Sequence, residues 1–137
     1  MDYVVCDTTV VSDLRRGGQR CAAMSLLATA VKVISIVTVA ELRAGAIKAG
    51  WGENERNELE STIRAYARLN VDDEIAEIWA LLQAECLRLG RNAGLNDLWI
   101  AATALRLECP VAALDHDFAR IPGIRLLSVG GDVVETT

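Results

Sequence analysis

Short apolar runs alternate with longer amphipathic segments along this chain. The first run is Tyr3–Cys6, and three more occupy residues 33–37, 110–114 and 124–129. Each run is shorter than a typical helix and is bounded by polar or turn residues, which indicates a buried strand. The pattern therefore predicts strands spread from the start of the chain to its end.

The segments between these runs carry apolar residues at helical spacing. The clearest one extends from Asp72 to Gly90. The sequence TVAE at residues 38–41 has the form of a capping box, which predicts a helix from there to about residue 50. Asn96 is a candidate N-cap for a helix through residue 107. Further helices are predicted directly after Asp7, over residues 20–30 and over residues 53–69.

Alternation of strands and helices predicts an α/β fold, with a short parallel sheet of about four to five strands and helices on both faces. We expect residues 1–137 to form a single domain, since no repeat or boundary interrupts the pattern. In open sheets of this kind, the functional crevice lies beyond the carboxyl ends of the strands. Asp7 and Asp115 fall at two such ends, and Glu41 lies one helical turn after a third.

The amino-acid composition is that of a globular protein without a membrane-spanning segment. Hydrophobic residues make up 52% of the chain and charged residues 24%, which is close to the average for globular proteins. No apolar run approaches the roughly 18 residues that span a bilayer, so we expect no membrane association and a cytoplasmic location. The four cysteines have no metal-finger spacing, and Cys6 and Cys109 lie in apolar runs, where buried thiols are more typical than a disulfide.

Charge excludes several kinds of function. The net charge is −5, which argues against a broad basic surface for nucleic acid, so any such contact must be local or metal-mediated. The chain has one histidine, His116, which excludes mechanisms that need two imidazoles. We interpret His116 as an exposed turn residue.

Four acidic residues are the candidate chemistry: Asp7, Glu41, Asp97 and Asp115. Taken singly, each could simply cap a helix or stabilise a turn. Together they bring carboxylates from separate segments toward one end of the sheet. Two carboxylates about 4 Å apart repel by roughly 4 kcal/mol at an effective dielectric constant of about 20, so such a cluster must raise its pKa values or bind a cation. All-oxygen ligands favour Mg²⁺ or Mn²⁺.

Four sequence blocks resemble those of a known family. VCDTTVVSDL, VTVAELRAG, LNDLWIAATAL and ALDHDFARIPGIRLL are similar, in order and spacing, to the blocks of PIN-domain ribonucleases, specifically the VapC toxins of toxin–antitoxin pairs. The resemblance covers essentially the whole chain. It implies a PIN-like fold and a Mg²⁺- or Mn²⁺-dependent endoribonuclease that hydrolyses RNA phosphodiester bonds.

The resemblance also implies roles for individual residues. Asp7, Glu41 and Asp97 match the first three acids of the family, and Asp115 matches the fourth, with Asp117 as a close rival. The residues expected to support these acids are Thr9, Thr38, Asn96, Thr103 and Asp117. Ala113 stands where the family commonly has a threonine, so one hydroxyl near Asp115 is missing.

Substrate and partner contacts are the last expectations. Arg15 and Arg16 are candidate phosphate contacts, with a solvated surface as the alternative, and Trp51 is a candidate for exposed contact with a partner or substrate. The resemblance implies a homodimer and a small basic VapB-like antitoxin that blocks the acidic site. The alternatives are a PIN-type nuclease that is not a toxin, and a non-catalytic PIN-like interaction domain.

Overall fold

A six-stranded sheet organises the computed structural model, which describes residues 2–137. Its strands are β1 (Tyr3–Cys6), β2 (Val31–Ser35), β3 (Ala67–Leu69), β4 (Val111–Ala112), β5 (Arg125–Leu127) and β6 (Val133–Glu135). The spatial order is β3-β2-β1-β4-β5-β6. The first five strands are parallel, and β6 pairs antiparallel to β5. The carboxyl ends of the parallel strands therefore share one edge of the sheet.

Helices cover both faces of this sheet. They are α1 (Thr8–Arg15), α2 (Leu26–Thr29), α3 (Ile36–Lys48), α4 (Glu53–Arg64), α5 (Asp73–Arg88) and α6 (Leu95–Arg106), with a short 3₁₀ turn at Asp117–Arg120. In β1, Val4 and Cys6 pack with residues of α1 to α4, whereas Val5 packs with residues of α5 and α6. This alternation follows from the two-residue period of a strand, and it places one apolar layer on each side of the sheet.

The predicted α/β fold with a short parallel sheet and helices on both faces is confirmed, but the last strand, β6, is antiparallel and the strand count is six rather than four to five. The two additional strands, β3 and β6, lie at the edges and expose most of their residues. Residues 67–69 were predicted to continue a helix, and this was wrong, because α4 ends at Arg64 and the chain then pairs with β2.

Two predicted helix starts were also wrong. Helix α3 begins at Ile36 instead of at the predicted capping box, and its N-cap is Ser35, whose Oγ accepts a hydrogen bond from the Val37 N–H at 3.1 Å. Helix α6 begins at Leu95 with Gly94 as its N-cap, so Asn96 lies inside the first turn.

The predicted helix over residues 20–30 is reduced to α2. The cause is the buried carboxylate of Asp13, which accepts a hydrogen bond from the backbone N–H of Cys21 at 3.0 Å and holds that segment in turns.

The four cysteines are buried free thiols, as was predicted for Cys6 and Cys109. Within residues 2–137, no helix combines the length and apolar character needed to cross a membrane.

Candidate active site

Asp7 leaves β1 at the carboxyl end of the sheet and caps α1. Its backbone has extended geometry, and its side chain accepts hydrogen bonds from the Thr9 N–H at 3.4 Å and the Thr9 hydroxyl at 2.8 Å. The residue is only 4% exposed. Burial raises the pKa of Asp7, the hydrogen bonds from Thr9 lower it, and the charge of Asp115 raises it further. Asp7 is thus a helix cap and a member of a charged cluster at once.

Thr9 ties this carboxylate to the neighbouring strand end. While its hydroxyl donates to Asp7, its oxygen also accepts a hydrogen bond from the Leu114 N–H at 3.2 Å. That bond holds the chain after β4 at a fixed position beside β1. The loop that leads into Asp115 is therefore anchored by Thr9, although Ala113 supplies no hydroxyl of its own.

Glu41 projects from α3 and is held by two other helices. The Thr8 hydroxyl donates to Oε1 at 2.7 Å, and the Asn96 side-chain amide donates to Oε2 at 3.4 Å. These donors come from the first turns of α1 and α6. Both carboxylate oxygens thereby have a partner, so the position of Glu41 is set by helices on both faces of the sheet.

Asp97 lies in the first turn of α6 and has the most perturbed carboxyl group of the cluster. Its pKa is raised from 3.8 to about 7, mainly by burial and additionally by the charges of Asp7, Asp115, Asp117 and Glu41. The N-cap Gly94 gives this side chain room, because a Cβ at residue 94 would lie 3.3 Å from Asp97 Oδ2.

Asp115 and Asp117 are both exposed, in the turn after β4. Asp115 Oδ1 accepts a hydrogen bond from the Asp117 N–H at 3.1 Å, as an aspartate in a turn commonly does. Both charges raise the pKa of Asp97, and Asp115 also raises the pKa of Asp7. This second effect favours Asp115 over Asp117 as the fourth acid, which stays a prediction.

These carboxylates form an acidic cluster from four segments: Asp7, Glu41, Asp97, and Asp115 with Asp117. The charges of the cluster make ionisation of Asp7 and Asp97 less favourable. As the side chains of residues 2–137 are placed, no three histidine, cysteine, aspartate or glutamate side chains are close enough to enclose one ion. The donor set nevertheless fits a hard divalent cation, because every candidate ligand is a carboxylate oxygen and a cation would relieve the repulsion that raises the pKa of Asp97.

The remaining predicted supporting residues differ in their surroundings. Thr38 is completely buried one helical turn before Glu41, and its hydroxyl has no hydrogen-bond partner among the described residues. The hydroxyl of Thr103 donates to the Trp99 carbonyl within α6 at 2.8 Å, so its observed contact belongs to the helix rather than to the acids. The roles of both threonines stay predictions.

Arg15 and Arg16 lie beside a cleft of about 270 Å³ between α1 and α3. The guanidinium carbon of Arg15 is 4.4 Å from the centre of the Trp51 ring. Trp51 was expected to be exposed, but it is half-buried and packs against the core. His116 is exposed in its turn, as expected.

Three features of the site and the adjoining cleft were not predicted from the sequence: the hydroxyl of Thr8, the N-cap Gly94, and the contact between Arg15 and Trp51. Thr8 could have been found, since it follows Asp7 and begins a helix. Gly94 and the pairing of Arg15 with Trp51 depend on contacts that no local pattern reveals.

Comparisons with known proteins match most of this chain to one family. The family model described as "PIN domain" matches residues 4–124. Ribonuclease VapC5 of Mycobacterium tuberculosis is 39% identical over 92 residues, which is 65% of this chain and 67% of that protein. Ribonuclease VapC4 of the same organism is 30% identical over 98 residues, or 70% of this chain and 75% of that protein.

A solved structure extends the likeness over most of the fold. DNA-bound VapBC from Salmonella typhimurium includes a chain with a TM-score of 0.81 and 26% sequence identity, and the match covers 94% of this chain and 99% of that one.

Proposed function

The chain belongs to the PIN domain family, and from this premise we propose that it is a divalent-metal-dependent endoribonuclease that acts as the toxin of a toxin–antitoxin pair. The observation that carries the proposal is the group of carboxylates from four segments at the carboxyl edge of the sheet, where Thr8 and Asn96 hold Glu41 and where burial and the surrounding charges raise the pKa of Asp97 to about 7. A cluster of this kind at the carboxyl edge of a parallel sheet is suited to hold a cation.

The residues proposed to hold Mg²⁺ or Mn²⁺ are Asp7, Glu41, Asp97 and Asp115. When bound, such a cation would act as a Lewis acid that activates water and neutralises charge on the phosphodiester. The chain itself supplies orientation, since Thr8 and Asn96 fix the two oxygens of Glu41. A cation bound there would favour the carboxylate form of Asp97, because a nearby positive charge stabilises the ionised group.

The proposed partners are an RNA substrate and a small basic antitoxin, and we expect a homodimer in the cytoplasm. The similar structure from Salmonella typhimurium is that of DNA-bound VapBC, which supports a partner protein for this chain as well. A net charge of −5 suits a basic partner, and an arginine from it could pair with the acidic cluster through its planar guanidinium. Four free thiols fit a reducing compartment.

RNA cleavage mapping after induced expression is the direct test. We expect defined cuts with the parent protein and none with Asp97→Asn. The matched control is Asp73→Asn, since Asp73 also lies in the first turn of a helix but is exposed, at the start of α5. Cuts that persist in Asp97→Asn would refute the proposed site, and the lack of any cut with the parent protein in the presence of Mg²⁺ or Mn²⁺ would refute the nuclease activity.

A further inference from the structure

The cleft between α1 and α3 connects the acidic cluster to two arginines. Helix α1 lines it with Thr8, Ser12 and Arg15, whose spacing puts them on one face. The end near Thr8 adjoins the cluster, because the Thr8 hydroxyl is bonded to Glu41. Arg15 lies about 10 Å further along the helix. A chain that crosses the acidic cluster can therefore continue along the cleft and reach Arg15 and Arg16.

Trp51 is held at the far end of this cleft by the termination of α3. Gly50 has a φ of 71°, and its N–H donates to the Ile47 carbonyl at 3.0 Å, while the Trp51 N–H donates to the Ala46 carbonyl at 3.1 Å. This is the hydrogen-bond pattern of a Schellman motif, in which the residue after the left-handed glycine packs back on the helix. The backbone thus fixes the ring beside Ala46, in the wall of the cleft.

The ring in turn positions Arg15. With its guanidinium carbon 4.4 Å from the ring centre, Arg15 has a cation–π contact that restrains the side chain and leaves its charge intact. Within residues 2–137, neither Arg15 nor Arg16 forms an ion pair. The cleft therefore offers one oriented cation and a second beside it, neither neutralised by a carboxylate, which is the chemistry that binds a phosphate chain.

We propose that this cleft binds the single-stranded RNA that adjoins the scissile phosphate, with Arg15 as a phosphate ligand, Arg16 as a second cation and Trp51 as the residue that positions Arg15. The inference rests on the proposed nuclease function and adds to it the path of the substrate. A polyanion is favoured over a protein segment because the cleft contains two arginines without an ion-pair partner among the described residues, whereas the acid in its lining, Glu41, belongs to the proposed metal site.

Gly45 provides a way to close the cleft without disturbing the fold. It lies in α3 on the cleft wall, and a Cβ at this position would have no heavy atom within 4 Å. Leucine is a better helix former than glycine, so Gly45→Leu should keep the helix while it fills the cleft. Ala44→Leu is the matched control, since Ala44 is the exposed neighbour on the same helix.

The first test measures binding of a fluorescein-labelled single-stranded RNA by anisotropy. Asp97→Asn protein serves as the parent for binding, so that the probe is not cleaved, and the affinity is measured over a series of salt concentrations. We expect Arg15→Ala to weaken binding by about tenfold. The slope of log K against log salt should fall by about 0.7, as expected for one lost phosphate contact on a single strand. The matched control, Arg64→Ala, removes an exposed arginine from the last turn of α4 and should change neither quantity.

The positioning role of Trp51 has its own readout. Trp51→Leu keeps an apolar side chain against the core but removes the cation–π contact, so it should lower the salt slope although Arg15 is still present. Trp51→Phe should restore both the slope and the affinity. A merely structural role would change the melting temperature of these variants and leave the salt slope unaltered.

Steady-state cleavage by the otherwise unmodified enzyme completes the test. Arg15→Ala and Gly45→Leu should raise KM several-fold with a smaller change in kcat, and Ala44→Leu should match the parent. Parent-like affinity, salt slope and KM in Arg15→Ala, Trp51→Leu and Gly45→Leu would overturn the proposed path and leave the cleft to a protein partner. If the Asp97→Asn protein does not bind RNA and the otherwise unmodified enzyme does not cleave it, the proposed function fails as well.

Discussion

Replacing Asp97 with asparagine should stabilise the metal-free protein at neutral and alkaline pH while it removes nuclease activity. The pKa of Asp97 is about 7 in the folded protein, against an ordinary value of 3.8. The folded state therefore holds this proton more tightly than the unfolded state does. The ionised carboxylate lowers the free energy of unfolding. This loss of stability is absent below pH 4, grows as the pH rises, and is complete above about pH 7.

The magnitude follows from the same two pKa values. Each pKa unit corresponds to about 1.36 kcal/mol, so a rise from 3.8 to about 7 sets an upper limit of about 4 kcal/mol. Because the cluster is partly open to solvent, screening reduces the expected effect to about 1–2 kcal/mol. For a domain of this size, that corresponds to a rise in melting temperature of roughly 3–8 °C.

The assay is thermal unfolding of parent and Asp97→Asn protein in a chelating buffer, at pH 5 and at pH 8. We expect the melting temperature of the variant to exceed that of the parent by clearly more at pH 8 than at pH 5. Asp73→Asn, the exposed first-turn control, should show no such difference. An equal gain at both pH values, or a loss of stability at pH 8, would refute the electrostatic coupling and favour a purely helix-stabilising role for Asp97.

Three further predictions concern the other groups of the site. Asp7→Asn should reduce RNA cleavage by at least about 100-fold with little change in melting temperature, because asparagine is also a good N-cap; parent-like cleavage would exclude Asp7 from the metal site. Thr8→Val should lower kcat by about tenfold, since it frees one oxygen of Glu41, and Thr8→Ser should restore it; equal loss in both variants would contradict the role of the hydroxyl. Mn²⁺ binding should release protons at pH 5 to 6, which calorimetry in buffers of different ionisation enthalpy measures, and binding without release would mean that the acids are separately solvated.

The fold could be predicted from the sequence wherever burial imposes a pattern. Strand β1 was found because it is a short apolar run that ends at a polar stop, and helix α5 was found because its apolar residues recur at the helical period. Strands β3 and β6 were missed because they are short, exposed edge strands, whose hydrogen-bond partners rather than their side chains define them. Residues 20–25 lack a helix because of Asp13, eight positions before its partner Cys21, a contact outside the reach of local propensity.

The acids could be located for a topological reason. Parallel strands end at one edge, so a carboxylate directly after β1 and another after β4 must be neighbours once the fold is known. Their relative importance could not be predicted. Burial and the sum of nearby charges, which single out Asp97, are properties of the assembled site.

The hydrogen bonds of the cluster explain how so many carboxylates can be kept together. Asp7 and Glu41 are held by neutral donors, namely the hydroxyls of Thr9 and Thr8 and the amide of Asn96. Neutral donors fix the positions of the oxygens but leave the negative charge of the cluster uncompensated. A divalent cation and the guanidinium of a partner would relieve the same repulsion, so on the proposed function they compete for it. The metal that makes the nuclease active should therefore lower the binding affinity of an antitoxin that inserts an arginine. By reciprocity, that antitoxin should lower the affinity of the site for the metal by the same factor.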